Sequence, residues 1–465
     1  MLFTEARFLL FFALIFGVHW LLRRNGWRKA WLLLASYAFY AAWDWRFLSL
    51  IAISTATDYI AGSALGRCKP PSRRRAWLIG SLAINLGLLC AFKYFNFFIE
   101  SGSALLEALG IPATPFTLEI VLPLGISFYT FQSLSYTIDI YRGQIEPVRN
   151  PLDFALFVGF FPQLVAGPIV RASEFLPQLR TKRTLGGVPV RACLTLFLFG
   201  FIKKACVADH CALYVDPIFA DPQSFSMLSQ WLAASLYGIQ VYCDFSGYSD
   251  MAIATAGLLG YRLPENFRFP YLASSLTLCW RRWHMTLTRW FRDYLYIPLG
   301  GNRAGRPRTY ANMILVFALC GLWHGASWNY VVFGLFHGVF LVFEHMSRLG
   351  RTSDRWHPLG NLYTLAVWIV ALAIFRTPDL ATAFSMVGNM LGFGAETFLL
   401  APAELVWLAF LAGFAVVQAI MYLKIMHRPM RSVPGWIFGP IYGASVALAL
   451  AFANAGYTPF IYFQF

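Results

Sequence analysis

The sequence predicts an all-α, polytopic membrane protein, and three observations carry that reading. Of its 465 residues, 58% are hydrophobic and only 13% charged, where a soluble domain carries roughly 25% charged residues. Apolar runs of bilayer length recur from one end of the chain to the other, and a helix needs about 20 apolar residues to cross. Lys and Arg gather in alternate connections, the pattern of cytoplasmic loops. The high aromatic content, 18% with 44 Phe, suits lipid contact and interfacial belts.

The elements follow in order. Candidate spans fall near 7–22, 29–45, 47–66, 76–98, 120–141, 153–170, 190–208, 228–260, 309–323, 328–347, 360–376, 402–423 and 435–453, with 228–260 expected to be broken. Roughly 11 should cross, the remainder being re-entrant or interfacial. The first run, Phe8–Leu22, precedes Arg23-Arg24 without a small-residue cleavage site and reads as a retained span. Arg23, Arg24, Arg28 and Lys29 mark one side, as do Arg67, Lys69 and Arg73 to Arg75. Residues 101–119 and 378–401 hold no Lys or Arg, whereas 262–308 hold nine Arg. The basic loops are therefore expected inside and both termini outside. Arg348, Arg351, Arg355, Lys424, His427, Arg428 and Arg431 fall on the inner side in this scheme. The alternation closes only if 153–170 and 309–347 each enter and return, which puts His324 near a hairpin turn. Pro123-Leu-Gly125, Gly167-Pro168 and Pro298-Leu-Gly-Gly301 interrupt apolar runs. Irregular backbone at that depth needs protein or a water-filled space over it, so a central cavity is expected. Residues 1–465 read as one transmembrane domain.

The composition also excludes. The excess of 37 basic over 22 acidic residues, +15, follows the loops and implies lipid headgroups, with no nucleic acid. Eight scattered Cys form no CxxC pair, so neither a zinc site nor a disulfide framework is expected. The absence of an internal repeat argues against a transporter or flippase.

Chemistry concentrates in three stretches. His324 lies between Trp323 and Gly325 in an almost wholly apolar run from Met313 to Phe343. An ionisable group at membrane depth costs about 2.5 kcal/mol or more when charged, and imidazole takes a proton near neutral pH. It is either a packing histidine or a functional one. In Cys279–Asn302, Arg281, Arg282, Arg289 and Arg292 interleave with Trp280, Trp283 and Trp290. On a helix, His284 would share a face with Trp280 and Thr288. The segment is an interfacial amphipathic helix, or a site whose guanidinium forks grip the phosphates of a cytosolic cofactor while indoles stack its base; both can hold. In Gln240–Asp250, two carboxylates, four hydroxyls and an amide sit in an apolar run. Asp244 and Asp250 need partners there; a helix-to-helix network is one reading, and a cavity wall that includes Asp244, Ser246 and Tyr248 is the other. Leu122–Arg142 is similarly polar. His337 and His345 have no metal-pair spacing with His324 and are assigned to packing or the interface.

These residues resemble a family. Leu122–Arg142, Phe161-Pro-Gln-Leu-Val-Ala-Gly-Pro168, Asp244-Phe-Ser-Gly-Tyr-Ser-Asp250, Glu265-Asn-Phe267, Trp280–Asn302, Leu322-Trp-His-Gly-Ala-Ser-Trp328 and Phe460-Ile-Tyr-Phe-Gln-Phe465 together resemble the membrane-bound O-acyltransferases of the bacterial polysaccharide branch, of alginate O-acetyltransferase type. The family's catalytic histidine matches His324, and its second, cytoplasmic-side histidine matches His284. The resemblance implies acetyl-CoA as donor substrate, with no bound cofactor or metal. Arg281, Arg282, Trp283, Arg289, Arg292 and Asn302 would serve the donor, and Trp323 and Ser327 would line the cavity with Asp244, Ser246 and Tyr248. It implies a bacterial inner-membrane location, and a periplasmic or membrane-anchored acetyltransferase partner that passes acetyl to an exported polysaccharide. A different cell-envelope glycan, a lipid or a protein is the alternative acceptor. Phe460-Ile-Tyr-Phe463 further resembles a terminal aromatic motif of the teichoic-acid D-alanylation system, which makes Tyr462 a candidate acyl relay or docking residue, against a bland role as interfacial anchor.

Overall fold

The computed structural model describes residues 1–303, 305–347, 356–394, 401–402, 404–423, 434–453 and 460–461. Among these every regular element is helical. The chain forms two compact units, Met1–Val190 with Ala252–Pro264, and Arg191–Met251 with Glu265–Phe465.

In the first unit the helices are α1 (Ala6–Leu21), α2 (Asn25–Asp44), α3 (Leu48–Arg67), α4 (Pro71–Leu89), α5 (Phe95–Ala108), α6 (Ile126–Tyr141), α7 (Pro151–Gly159), α8 (Phe161–Leu164) and α9 (Ala172–Arg180). A π-helical turn, Cys90–Tyr94, joins α4 to α5. The expected span at 120–141 is shorter in the structure. Helix begins only at Ile126, because Pro123 lacks an amide donor and Gly125 takes a left-handed φ of 73°. A Cβ at Gly125 would lie 2.5 Å from the Leu164 carbonyl oxygen, so only glycine fits. The run 153–170 is likewise split at Phe160 into α7 and α8.

α6 is buried along nearly its whole length, and its polar residues pack helices. Asp58 of α3, fully buried, accepts hydrogen bonds from Thr137 Oγ1 (2.8 Å), Asn85 Nδ2 (3.0 Å), Ser81 and Ser133. Hydrogen bonds to a charged group are worth about 1.5–3 kcal/mol each. Four such bonds act against the cost of a carboxylate at this depth, about 2.5–3.5 kcal/mol on insertion scales.

In the second unit lie α10 (Val190–Phe201), α11 (Asp209–Ala220), α13 (Leu276–Arg282), α14 (Met285–Phe291), α15 (Arg306–His324), α16 (Trp328–Ser347), α17 (Pro358–Arg376), α18 (Leu380–Met390), α19 (Glu404–Tyr422) and α20 (Gly435–Ala451). α12 (Met227–Leu258) runs 32 residues without the break expected in 228–260, contributing its last turns to the first unit. Its polar stretch stays helical because the carboxylates find lysine partners, described below.

Five helical stretches among the described residues are long and apolar enough to cross a membrane: Asn25–Arg67, Pro71–Ala108, Trp328–Ser347, Pro358–Arg376 and Glu404–Tyr422. Ala6–Leu21 and Gly435–Ala451 are shorter apolar helices. The protein is thus a helical, multi-pass membrane protein.

Candidate active site

His324 is the last residue of α15, and α16 starts at Trp328 after a three-residue turn, the hairpin expected from the charge pattern. Glycines bring the two helices together. A Cβ at Gly321 would sit 1.9 Å from the Tyr330 carbonyl oxygen, and one at Gly334 2.1 Å from that of Phe317. Small residues at such a crossing let backbones meet where lipid supplies no hydrophobic drive. Asn329 anchors the turn, its amide donating 2.8 Å to the Thr377 carbonyl just past α17. Ser327 is half-buried in the turn, where its hydroxyl accepts from the Asn329 amide at 3.4 Å. His324 is 4% exposed, its ring 5.1 Å from Trp323, 5.5 Å from Phe375 and 6.1 Å from Phe333.

His284 is fully buried in the same unit. The segment around it is not one helix, so the expected face shared with Trp280 and Thr288 does not form. The chain breaks between α13 and α14, and His284 occupies the break with a left-handed φ of 39°. Phe269 and His284 are the two non-glycine residues with positive φ among those described. Such a conformation costs on the order of 1–3 kcal/mol and persists only where the surroundings fix it. Two backbone hydrogen bonds do so: Met285 N to Asn266 O (2.8 Å) and Arg268 N to Arg282 O (2.9 Å). The His284 ring stands edge-on to Phe245 at 4.6 Å and 6.0 Å from Trp323, which also flanks His324. Burial holds the His284 imidazole well below the ordinary histidine pKa, and electrostatic interaction with His324 lowers it further. His284 therefore sits neutral and within electrostatic reach of His324.

α13 is aimed by its own cap. Glu344 of α16 accepts from the backbone N–H of Leu276 (2.5 Å) and Thr277 (2.9 Å) and from the Thr277 hydroxyl (2.7 Å), while Ser275 Oγ accepts from Leu278 N at 3.1 Å. A carboxylate on the first amides suits the positive end of a helix.

The structure divides the expected donor residues. Arg281, Arg289, Arg292 and Asn302 are exposed, and Arg282 is half-buried with its guanidinium 5.6 Å above the Tyr422 ring. Arg292 pairs with Asp293 at 2.6 Å. Trp283 does not suit base stacking. It is 4% exposed, enclosed by Trp368 (5.0 Å), Phe267 (5.1 Å) and Tyr271 (6.0 Å). Trp280 and Trp290 are buried too. Trp280 donates its indole N–H to His337 Nδ1 at 3.4 Å, and His337 lies fully buried among rings, the packing role expected of it. His345 is exposed beside Tyr310.

Asp244, Ser246 and Tyr248 are all buried. Asp244 pairs with Lys204 at 2.5 Å and accepts from the Ile461 backbone N–H at 2.8 Å. Lys204 also pairs with Asp209 at 2.7 Å, and Lys203 with Asp250 at 2.6 Å. Both carboxylates thus join the helix-to-helix network that was one of the two readings. Phe460 packs on Tyr248 (4.8 Å) and Phe245 (5.7 Å). Tyr462 lies outside the described residues, as do Arg348, Arg351, Arg355, Lys424, His427, Arg428 and Arg431. Among the described residues no group of three His, Cys, Asp or Glu could hold a metal ion.

Sequence reading quoted Asn266 within Glu265-Asn-Phe267 but gave it no role, and it missed Glu344 and the Lys203-Lys204 pair as members of this region. The lysines had a signal: two adjacent cations inside an apolar run demand acidic partners.

Two buried histidines that both flank Trp323, with a guanidinium-rich segment around one of them, define a helical membrane protein whose buried side chains suit proton transfer. Residues 145–387 match the sequence model of MBOAT, the membrane-bound O-acyltransferase family. The chain is 38% identical over 492 aligned positions to a probable alginate O-acetylase AlgI of Pseudomonas putida, covering all of both chains. It is 37% identical to the Azotobacter vinelandii protein of the same description, again over the whole of both. A peptidoglycan O-acetyltransferase of Helicobacter pylori is 37% identical over 78% of this chain and 74% of that one. The chain belongs to the MBOAT family, and it is a membrane-bound O-acyltransferase, which removes the transporter alternative.

Proposed function

We propose that the protein moves an acetyl group from cytosolic acetyl-CoA to the outer side of a bacterial inner membrane for O-acetylation of an exported, alginate-like polysaccharide. The observation that carries this reading is the pairing of His324, at the hairpin tip, with His284 through Trp323, in a chain matched end to end by probable alginate O-acetylases. A thioester is already activated, so what remains is to remove the hydroxyl proton and bear the charge on the carbonyl oxygen. His324 takes the proton of the attacking hydroxyl as its oxygen bonds to the carbonyl carbon. The tetrahedral intermediate then expels the CoA thiolate, which recovers that proton. Burial keeps water, the competing nucleophile, away. Arg281, Arg289 and Arg292 hold the donor's phosphates, with Arg282 and Asn302 beside them. Ser246, Tyr248, Trp323 and Ser327 wall a central cavity within a single functional domain of roughly 11 spans. The acceptor nearest the enzyme is a periplasmic or membrane-anchored acetyltransferase that hands acetyl to the polymer. Tyr462 docks that partner or relays the acetyl; Tyr462→Phe keeps the ring and removes the nucleophile, and unchanged polymer acetylation by it would exclude the relay.

The test is release of free CoA thiol from acetyl-CoA by the purified protein supplied with a hydroxyl acceptor, an alginate oligosaccharide or the membrane-anchored acetyltransferase partner, with His324→Ala as the blank. Acetyl-pantetheine, which lacks the adenosine phosphates, should be the poorer donor, and equal use of both would sink the arginine assignment. Orientation is read separately. In a Cys-free background, a cysteine at Ser101 should react with an impermeant thiol reagent from outside and one at Arg74 should not; the reverse pattern would invert the topology.

A further inference from the structure

We propose that Asn266 is a positioning residue that holds His284 as the tautomer with its proton on Nδ1, so that Nε2 carries the lone pair offered to the reaction. The inference rests on the acyltransferase reading and extends it from the histidines to what orients one of them.

The polar accounting is closed at Asn266, which is buried. One end of its amide lies 3.3 Å from the Thr286 backbone nitrogen and 2.9 Å from Thr286 Oγ1. A backbone N–H can only donate, so the atom facing it is the oxygen, Oδ1. The other end, Nδ2, lies 3.2 Å from Ser249 Oγ and donates there. Turning the amide over would set its NH2 against the Thr286 N–H, donor against donor. The same Oδ1 lies 3.1 Å from His284 Nδ1. An oxygen acceptor at that distance requires the proton on Nδ1. Phe245, Phe267 and Trp323 pack on the ring and hold it against this partner, while the backbone, in the left-handed region, is tied to Asn266 O through the Met285 amide. Asn266 thus fixes both the peptide and the ring of His284.

The consequence is chemical. A neutral imidazole with its lone pair on Nε2 accepts a proton or a hydrogen bond. It does not grip phosphate as a cation would, and that work falls to the exposed guanidiniums. The rings packed on His284 include Phe245, Phe267 and Trp323, and His324 is a titratable group that acts on it.

The experiment compares Asn266→Ala, Asn266→Asp, His284→Ala and the Asn266→Ala/His284→Ala double variant, each purified and matched for folded protein by thermal melting. Asn266→Ala should lower kcat for acetyl-CoA consumption about 10- to 100-fold, the usual effect of losing an orienting partner, with KM for acetyl-CoA within about twofold. The double variant should be no worse than His284→Ala alone, since Asn266 acts through that ring. Asn266→Asp keeps the acceptor and should recover much of kcat. Its carboxylate favours the imidazolium, so the acid limb of its pH profile should move to higher pH. Full kcat in Asn266→Ala, a loss that multiplies with His284→Ala, or an Asp variant with an unshifted limb would overturn the proposal. Imidazole nitrogen resonances of 15N-histidine-labelled protein, assigned by His284→Ala, read the tautomer without turnover. Well-separated His284 signals that merge in Asn266→Ala are expected, and signals unchanged by the substitution would refute the role. Should wild-type protein consume no acetyl-CoA with the hydroxyl acceptor present, the donor reading fails, and the resonances still decide the tautomer.

Discussion

Asp58 and His324 are both ionisable side chains sunk among apolar residues, yet their surroundings differ in kind. Asp58 sits mid-helix in the first unit and is saturated by two serines, a threonine and an asparagine drawn from α4 and α6. His324 sits at a helix end in the second unit, in edge-type contact with the rings of Trp323, Phe333 and Phe375. A carboxyl group that accepts from four fixed donors is tied to one arrangement, and removing it disrupts every bond at once. Imidazole is the side chain that gains and loses a proton near neutral pH, and here it stands at the tip of a hairpin. The first arrangement builds a helix bundle; the second is what a general base requires.

That contrast predicts opposite outcomes for two truncations. His324→Ala should cut acyl transfer by about 10²- to 10⁴-fold, the contribution of a general base, and leave the melting temperature nearly unchanged. Asp58→Ala should do the reverse. It strands four donors, and with partial rearrangement in the membrane should cost about 2–3 kcal/mol of stability, read as a lowered melting temperature and yield. Turnover per folded molecule should stay within about twofold of wild type. An Asp58→Ala protein that melts normally but has lost its turnover would dissolve the distinction between the two regions.

Much of this was legible in the sequence, and for identifiable reasons. The helix limits of α15 and α16 match the apolar runs because hydropathy and Gly325 punctuate them plainly, and so the hairpin under His324 could be read directly. The break at His284 was not legible. Trp280, His284 and Thr288 keep perfect helical spacing, and only the tertiary hydrogen bonds from Asn266 and Arg268 force the left-handed turn. The indoles misled for a related reason. Trp beside Arg reads as an interfacial stacking surface, but packing on Trp368 and Phe267 turns Trp283 inward. α12 misled in the other direction: a break was expected in 228–260, but lysines on a neighbouring element neutralise its two aspartates in place and the helix runs through.

Glu344 sharpens the comparison, because it is a buried carboxylate of the second unit with the saturation of Asp58. Both of its oxygens are engaged at the start of α13, which carries the chain to the His284 turn. Glu344→Gln keeps the shape and one acceptor oxygen, but its amide nitrogen cannot accept, and the negative charge at the helix start is lost. Loss of a capping interaction of this sort costs about 1 kcal/mol. The expected result is a small fall in melting temperature with turnover reduced about two- to fivefold, because α13 loosens while His324 and its hairpin are untouched. The donor KM should rise along with the fall in kcat, since the same helix presents Arg281 and Arg282. If Glu344→Gln instead abolished turnover with an unchanged melting temperature, Glu344 would belong with His324 among the groups that handle protons, and saturation by fixed donors would no longer mark a structural carboxylate in this fold.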